Sequence, residues 1–337
     1  MKLMQSLRLA LVLSAIGFSA QAVTLKIATL SPEGSSWMQK FRESAKEIKA
    51  RTDSRVKIKY YPGGVMGDDA AVLKKIRIRQ LHGGAMTGGS LARFYKDSQV
   101  YSMPLKFDSL AQVEHVRSVI DPIIVEGFEE GGFVTFGLAG GGFAYLMSKE
   151  PITNPEQMKQ HKVWTPSTDE VSNASFEAFD ISPIPLPIGD VLAGLQTDLI
   201  DTIATSPVAA INLQWHTQLK YVTEVPIIYI YAVLAVDKKA FKKIKAADQK
   251  VVREVMTKVF TQLDAETRND NQKALAALEK QGIEILKPSA SDLAMWQEKA
   301  QLAEANLMKS AALSPSMIEL LNKTLSSYNA KQSATSP

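Results

Sequence analysis

The sequence predicts an α/β fold with a helical C-terminal third and enough chain for two lobes. Three observations carry that expectation. From Gly140 to Pro207, strand-like and helix-like runs alternate in a βαβ rhythm whose strand ends converge on one edge, where open α/β sheets bind ligands. From Val252 onward, apolar residues recur at helical intervals. A chain of 337 residues with 45% hydrophobic content is long enough to bury a large core.

Taken in order, Thr24 to Leu30 alternates and is rich in β-formers, so it reads as the first strand. Ser31-Pro32-Glu33-Gly34-Ser35-Ser36 breaks it, and Trp37, Phe41, Ala45 and Ile48 then follow helical spacing. Val56 to Tyr61 is a second strand closed by Pro62-Gly63-Gly64, and Asp68 to Arg79 is helical. The small-residue stretch Gly83 to Ser90 reads equally as a plain strand and turn or as backbone approaching a bound molecule, since glycine imposes no Cβ. Gly131-Gly132 ends a helix, and Gly140 to Gly142 marks a crossing between lobes that suits a hinge.

The central stretch then offers a strand at Phe143 to Met147, a short helix at Pro155 to Lys159 and a strand ending at Val163-Trp164. A helix from about Asp169 to Phe179, another from Ile188 to Gln196 and a strand from Ile200 to Ala204 complete it. Val252, Met256, Val259, Leu263, Leu275 and Leu278 lie along one long helix stopped by Gly282. Leu293, Trp296, Ala300, Ala303 and Leu307 form a second stripe stopped near Ser314-Pro315. The polar tail from Lys331 to Pro337 is expected to be disordered.

The N-terminus reads as a cleaved secretory signal over residues 1–22. Lys2 and Arg8 supply charge, Leu9 to Phe18 the apolar core, and Ala20-Gln21-Ala22 the small-residue cleavage site. That apolar run is shorter than the roughly 20 residues a membrane anchor needs. Export to the periplasm follows as the expected location. The absence of cysteine excludes disulfides, a lipidated cysteine, thiolate metal sites and cysteine nucleophiles. The formal charge of +4 falls to +2 once Lys2 and Arg8 leave, and the basic run Asp237 to Lys245 reads as the solvated flank of a helix start. No nucleic-acid partner is expected.

Nothing in the motifs calls for an enzyme. His82, His115, His161 and His216 lack metal-ligand spacing, and no G-x-S-x-G, H-E-x-x-H or G-x-G-x-x-G pattern in its proper setting occurs. The carboxylate pairs Asp68-Asp69 and Glu129-Glu130 are sequence neighbours, which do not face one another on a helix. No cofactor and no metal are expected.

Several motifs in fixed order carry a resemblance. They are Leu25-Lys26-Ile27-Ala28, Tyr61-Pro62-Gly63-Gly64-Val65-Met66-Gly67-Asp68 and Met103-Pro104-Leu105-Lys106-Phe107, then Pro151-Ile152-Thr153-Asn154-Pro155-Glu156-Gln157-Met158-Lys159, and Leu195-Gln196-Thr197-Asp198-Leu199-Ile200-Asp201. Together they resemble the extracytoplasmic solute receptors of TRAP transporters, the DctP-like family. The resemblance implies a two-lobed periplasmic-binding-protein-like fold with central mixed sheets, a long lobe-spanning helix and a helical C-terminus. It puts lobe I at about 23–140 and 229–268, and lobe II at 141–228 and 269–330. It also implies a small-molecule ligand in the interlobe cleft and TRAP permease subunits as partners.

One departure bears on the ligand. Members of that family usually carry an arginine two residues before the proline of a Lys-Ile-Arg-Val-Pro element, where it clamps a substrate carboxylate. Here the element is Lys162-Val163-Trp164-Thr165-Pro166, with Trp164 in that place, and a second common arginine position holds Ala144. Arginine grips a carboxylate through two parallel charge-assisted hydrogen bonds, which an indole with one donor cannot copy. The expected ligand is therefore neutral or hydrophobic. A subset of the family that lacks the arginine is associated with a tetratricopeptide-repeat partner, which extends to this chain as an expectation.

Glu33, Ser35, Trp37, Met86, Thr87, Phe107, Phe143, Trp164, Thr205, Ser206 and Trp215 are the candidate ligand-binding residues. Most are apolar, aromatic or neutral, as in a pocket that takes in organic surface and orients it with few hydrogen bonds. Trp37 also fits core packing, and Tyr229 and Tyr231 fit either setting. Two other functions compete. One is a periplasmic accessory protein of a drug-efflux system, although long heptad hairpins are missing; the other is a binder of an amine, approached by cation–π contact with Trp164 and by Glu33.

Overall fold

Two long strands, a glycine-marked crossing and one long helix tie two α/β lobes together. The structure is a computed structural model and describes residues 22–166 and 170–335. The expected signal segment therefore lies outside the described residues, apart from its last position.

The elements run in this order. β1 (Val23–Thr29), α1 (Ser36–Arg51), β2 (Val56–Tyr61), α2 (Asp69–Arg77) and β3 (Gly83–Thr87) come first. α3 (Leu110–Glu130), β4 (Phe133–Val134) and β5 (Leu138–Ser148) lead to α4 (Pro155–Met158), β6 (Trp164–Pro166), α5 (Glu170–Ala178) and β7 (Ile184–Leu186). Then come α6 (Val191–Gln196), β8 (Thr202–Thr205), α7 (Pro207–Asn212) and β9 (Tyr221–Asp237). α8 (Lys238–Phe241), α9 (Ala246–Lys280), β10 (Glu284–Leu286), α10 (Ala290–Ser310) and α11 (Pro315–Thr335) close the chain.

The large sheet is mixed, in the order β2-β1-β3-β9-β5-β8, with β4 and β10 pairing β9. β1 lies parallel to β2 and β3, because α1 and α2 are crossovers of the kind parallel strands require. β9 is antiparallel to β3, β5 and β4. Its 17 residues reach from β10 at Tyr221 to β3 at Val236, so one strand serves both ends of the sheet. β5 runs beside it with register shifts at Gly140/Gly142 and Ala144/Leu146. Such bulges bend a strand and increase its twist.

The central stretch departs from the βαβ expectation in its pairing. β6 and β7 form a separate two-stranded parallel sheet, and β8 lies antiparallel to β5. Alternation of strand and helix signals reports local periodicity; which strands pair depends on contacts distant in sequence.

α9 is the long helix expected from the apolar spacing, 35 residues or about 52 Å at 1.5 Å per residue. Val252, Met256, Phe260 and Leu263 pack with Phe41 and Leu25 beneath β1 and α1, whereas Leu278 joins a cluster with Met147, Trp164 and Trp215. One helix thus contributes to cores at both ends of the molecule. α11 extends through Thr335, past Lys331 where the polar tail was expected to leave the fold. Its Ile318 and Leu321 pack in the same cluster as Val113 and Val116 of α3, which covers that face of α3.

Candidate functional site

The chain ends of β1, β3 and β6 and the middle of β9 surround a cavity of about 290 Å³. That is close to the lower limit of small-molecule sites, roughly 300 Å³. One wall comes from Thr29 to Pro32 after β1, Ser35 and Trp37 at the start of α1, and Ala85 to Ser90. The facing wall holds Trp164 and Pro166 of β6, Phe176 of α5, Thr205 of β8, and Trp215. Ile228 to Ala232 of β9 form the back.

Trp37 is set by helix capping. Ser35 accepts a hydrogen bond from the Met38 N–H and starts α1, which brings Trp37 out one residue later on the cavity side. Its ring stands edge-on to Phe41 at 6.0 Å and to Phe260 at 6.2 Å, so it joins the core as well as the wall. Core packing and cavity lining, weighed as alternatives for this residue, both hold.

Trp164 is fixed on two sides. β6 pairs Trp164 opposite Ile184, and the indole Nε1–H donates to the Leu186 carbonyl at 3.0 Å. Trp215 meets it at 5.4 Å with the rings 69° apart, an edge-to-face arrangement. The indole's one donor is thus used inside the wall, and what remains for a ligand is ring surface.

Seven candidate residues line the cavity: Ser35, Trp37, Met86, Thr87, Trp164, Thr205 and Trp215. Four do not. Glu33 is exposed and accepts from Arg42 Nη2 at 2.7 Å and Nε at 3.2 Å, a pairing that holds its carboxyl below the usual range. That pairing removes Glu33 as the counter-charge for an amine. Phe107 is buried against Tyr101, and Phe143 packs edge-on to Tyr229 at 5.7 Å. Ser206 caps α7 by accepting from the Ala209 N–H. Each stood at a strand end or loop in the sequence, but side-chain direction is set by packing partners far along the chain.

Several lining residues were missed or left open. Tyr229 and Tyr231 both line the cavity. So do Ser172 and Phe176, whose i,i+4 spacing puts them on one face of α5, apart from buried Val171, Ser175 and Ala178. That split between two faces was readable in the sequence. Ser90 also lines the wall, within the small-residue stretch Gly83 to Ser90.

No lining residue among those described carries a charge. Ionic groups stand beside and behind it instead: Asp68 and Asp69 line a small adjoining pocket that shares Thr87, Ser90, Pro166 and Ile188 with the cavity. Asp69, 7% exposed, accepts from the Ser90 hydroxyl at 2.5 Å and from the Thr87 N–H at 3.3 Å. Burial pushes its carboxyl up to about 6, against the pull of those hydrogen bonds. Arg117 of α3 lies beyond Tyr229 and is taken up by Asp121 at 2.9 Å, Asp264 at 2.5 Å and the Leu138 carbonyl at 2.8 Å. No helix of the described residues is long and apolar enough to cross a membrane.

Comparison with known proteins agrees with this architecture. A solute-binding protein of Verminephrobacter eiseniae is 24% identical over 273 residues, 80% of each chain. The ectoine/5-hydroxyectoine-binding periplasmic protein of Ruegeria pomeroyi is 26% identical over 193 residues, 55% of each. In fold, the chain superimposes on a TRAP periplasmic solute-binding protein from Haemophilus influenzae with bound L-gulonate, with a TM-score of 0.82 at 17% identity, covering 90% of this chain and 99% of that one. A Bordetella pertussis extracytoplasmic solute receptor binding pyroglutamic acid gives 0.81 at 16% identity, covering 90% and 99%. The model of bacterial extracellular solute-binding protein family 7, DctP, matches residues 27–310. This chain therefore belongs to that family: it is a TRAP-type receptor that binds small organic ligands and works with membrane permease components, not an enzyme.

Proposed function

We propose that this receptor takes an uncharged, largely apolar organic molecule into the cavity between its lobes and delivers it to its TRAP permease. The observation that carries this reading is a wall without charge among the described residues, with Trp164, at the sequence position where relatives usually carry the clamping arginine, packed against Trp215. A carboxylate moved there would lose its hydration with no guanidinium to replace it, a penalty of several kcal/mol. Receptors of known fold in this family hold galacturonate, gulonate or erythronate, all acids, so the proposal sets this chain apart in ligand rather than in fold.

The lobes proposed from the sequence, 23–140 with about 229–268 and 141–228 with about 269–330, would close by bending where β5, β9 and α9 pass between them. Hinges of this kind are a few positions that absorb backbone change. The signal segment supports export to the periplasm, and a tetratricopeptide-repeat partner in the transport system belongs to the same proposal. The efflux-accessory reading has no support from the family match.

Mass spectrometry of small molecules released from the purified receptor tests the ligand class. Neutral molecules in near-stoichiometric amount are expected. A copurified carboxylate that rebinds tightly would overturn it.

A further inference from the structure

The polar edge of the cavity is wired from behind. Ser90 Oγ donates to Asp69 Oδ2 at 2.5 Å, and Thr87 Oγ1 lies 2.9 Å from Ser90 Oγ and 3.4 Å from the same carboxylate oxygen. The Thr87 N–H also points at that oxygen, at 3.3 Å. Thr87 and Ser90 line the cavity, while Asp69, in the first turn of α2, stands next to them in the small adjoining pocket. No basic side chain among the described residues pairs with this carboxylate.

A hydroxyl owns one proton and two lone pairs. The Ser90 proton is committed to Asp69. The Thr87 proton then goes either to Ser90 Oγ or to the carboxylate. In both arrangements the two protons are used inside the wall, and only lone pairs remain for the cavity. Tyr231, a third lining group, likewise spends its proton, on the Ser98 carbonyl at 2.7 Å. Every one of these oxygens is left an acceptor.

We propose that this edge selects ligands whose polar end donates hydrogen bonds, a hydroxyl or an amide N–H on an apolar body, and rejects those whose polar end only accepts. This deepens the neutral-ligand reading above and rests on it. An ether or ketone oxygen set against Thr87 and Ser90 would place lone pair against lone pair, with the Asp69 charge behind them. A donor there completes the network. Matching of buried hydrogen bonds separates analogues far better than apolar fit does, because a mismatch leaves polar groups unpaired.

The test uses probes with one apolar body: 3-phenylpropan-1-ol, its methyl ether and 3-phenylpropionate, titrated by tryptophan fluorescence at pH 7.5. The alcohol is expected to bind at least tenfold more tightly than the ether. In Thr87→Val, and separately in Ser90→Ala, that ratio should fall at least threefold while the ether's affinity stays within twofold, which a general loss of structure would not produce. Equal binding of alcohol and ether, or a ratio unchanged in both variants, overturns the donor assignment and leaves the neutral cavity standing. Binding of the propionate alone, or of none of the three, overturns the neutral-cavity reading and this one with it.

Discussion

Trp164 Nε1 donates to the Leu186 carbonyl at 3.0 Å, tying β6 to the end of β7 through the ring that also walls the cavity. Trp164 is 5% exposed and packs with Met147, Trp215 and Leu278. Core packing and cavity lining therefore reside in one side chain.

The first prediction follows from that double role. From the sequence alone, Trp164→Ala is expected to weaken binding with little change in melting temperature. The structure changes the second half. Truncating a buried tryptophan costs about 3–5 kcal/mol, so calorimetry should show the melting temperature falling by several degrees. Affinity for the copurified ligand should drop tenfold or more. Trp164→Phe keeps an aromatic wall but loses the hydrogen bond, so it should cost roughly 1 kcal/mol of stability and less of the affinity. An unchanged melting temperature in Trp164→Ala would contradict the packing described.

Anionic ligands give a second prediction. Succinate, malate and sialic acid at millimolar concentration should leave the melting temperature unmoved, since stabilisation follows RT ln(1 + [L]/Kd) and the cavity has no cation among the described residues to lower Kd. A clear upward shift with any of them would mean that a positive group enters the cavity when the lobes close.

Asp69 supplies the pH prediction. Its carboxyl is raised to about 6 in the fold, by burial first and by the charge of Asp68 to a smaller degree, against about 3.9 in an unfolded chain. The folded protein thus holds this proton more tightly than the unfolded chain does. The stability this group contributes is present below about pH 4 and is lost as pH rises through about 6. Two units correspond to about 3 kcal/mol. Asp69→Asn keeps an acceptor for Ser90 without the charge, so its stability relative to wild type should rise between pH 4 and 7. Urea unfolding at both values measures this; a difference independent of pH would remove the assigned shift.

Arg117 is the third structural test. It joins α3 to α9 through Asp264, to β5 through the Leu138 carbonyl, and to Asp121 on its own helix. Asp264 Oδ1 also accepts from the Gly140 N–H at 2.7 Å, on the glycine-rich crossing. Arg117→Leu leaves Asp121 without its cation and Asp264 with only Arg268 at 3.6 Å, and should cost about 3 kcal/mol in denaturant unfolding. The double change Arg117→Leu/Asp264→Leu should recover part of that loss.

Gly88 gives a steric prediction. A Cβ built there would stand 2.0 Å from the Tyr231 ring, whose hydroxyl bonds Ser98. Gly88→Ala must displace a buried tyrosine from the cavity wall, so stability should fall by at least about 1 kcal/mol. Binding should weaken beyond what the lost stability explains, as read by titration of the folded variant.

Much of this protein was legible in its residues. The long helix α9 showed in Val252, Met256, Val259 and Leu263, because helical periodicity is local and survives without tertiary context. The helix stop at Gly131-Gly132, after Glu130, is equally local. Motif order carried the family, and Trp164 in place of arginine carried the expectation of an uncharged site. What the sequence could not specify was side-chain direction. Phe107, Phe143 and Ser206 lie beside the cavity in sequence logic yet turn into the core or into a helix cap, and Glu33 is claimed by Arg42.

The pairing of β6 with β7, the hydrogen bond that holds the Trp164 ring at the cavity wall, and the Asp69 wiring beside Thr87 and Ser90 all join segments 18 to 22 residues apart. The chain by itself determined which elements form and that no guanidinium stands at the expected place. Only the folded structure decided which residues and rings line the cavity, because those directions are set by packing and hydrogen-bond competition between segments that the sequence keeps apart.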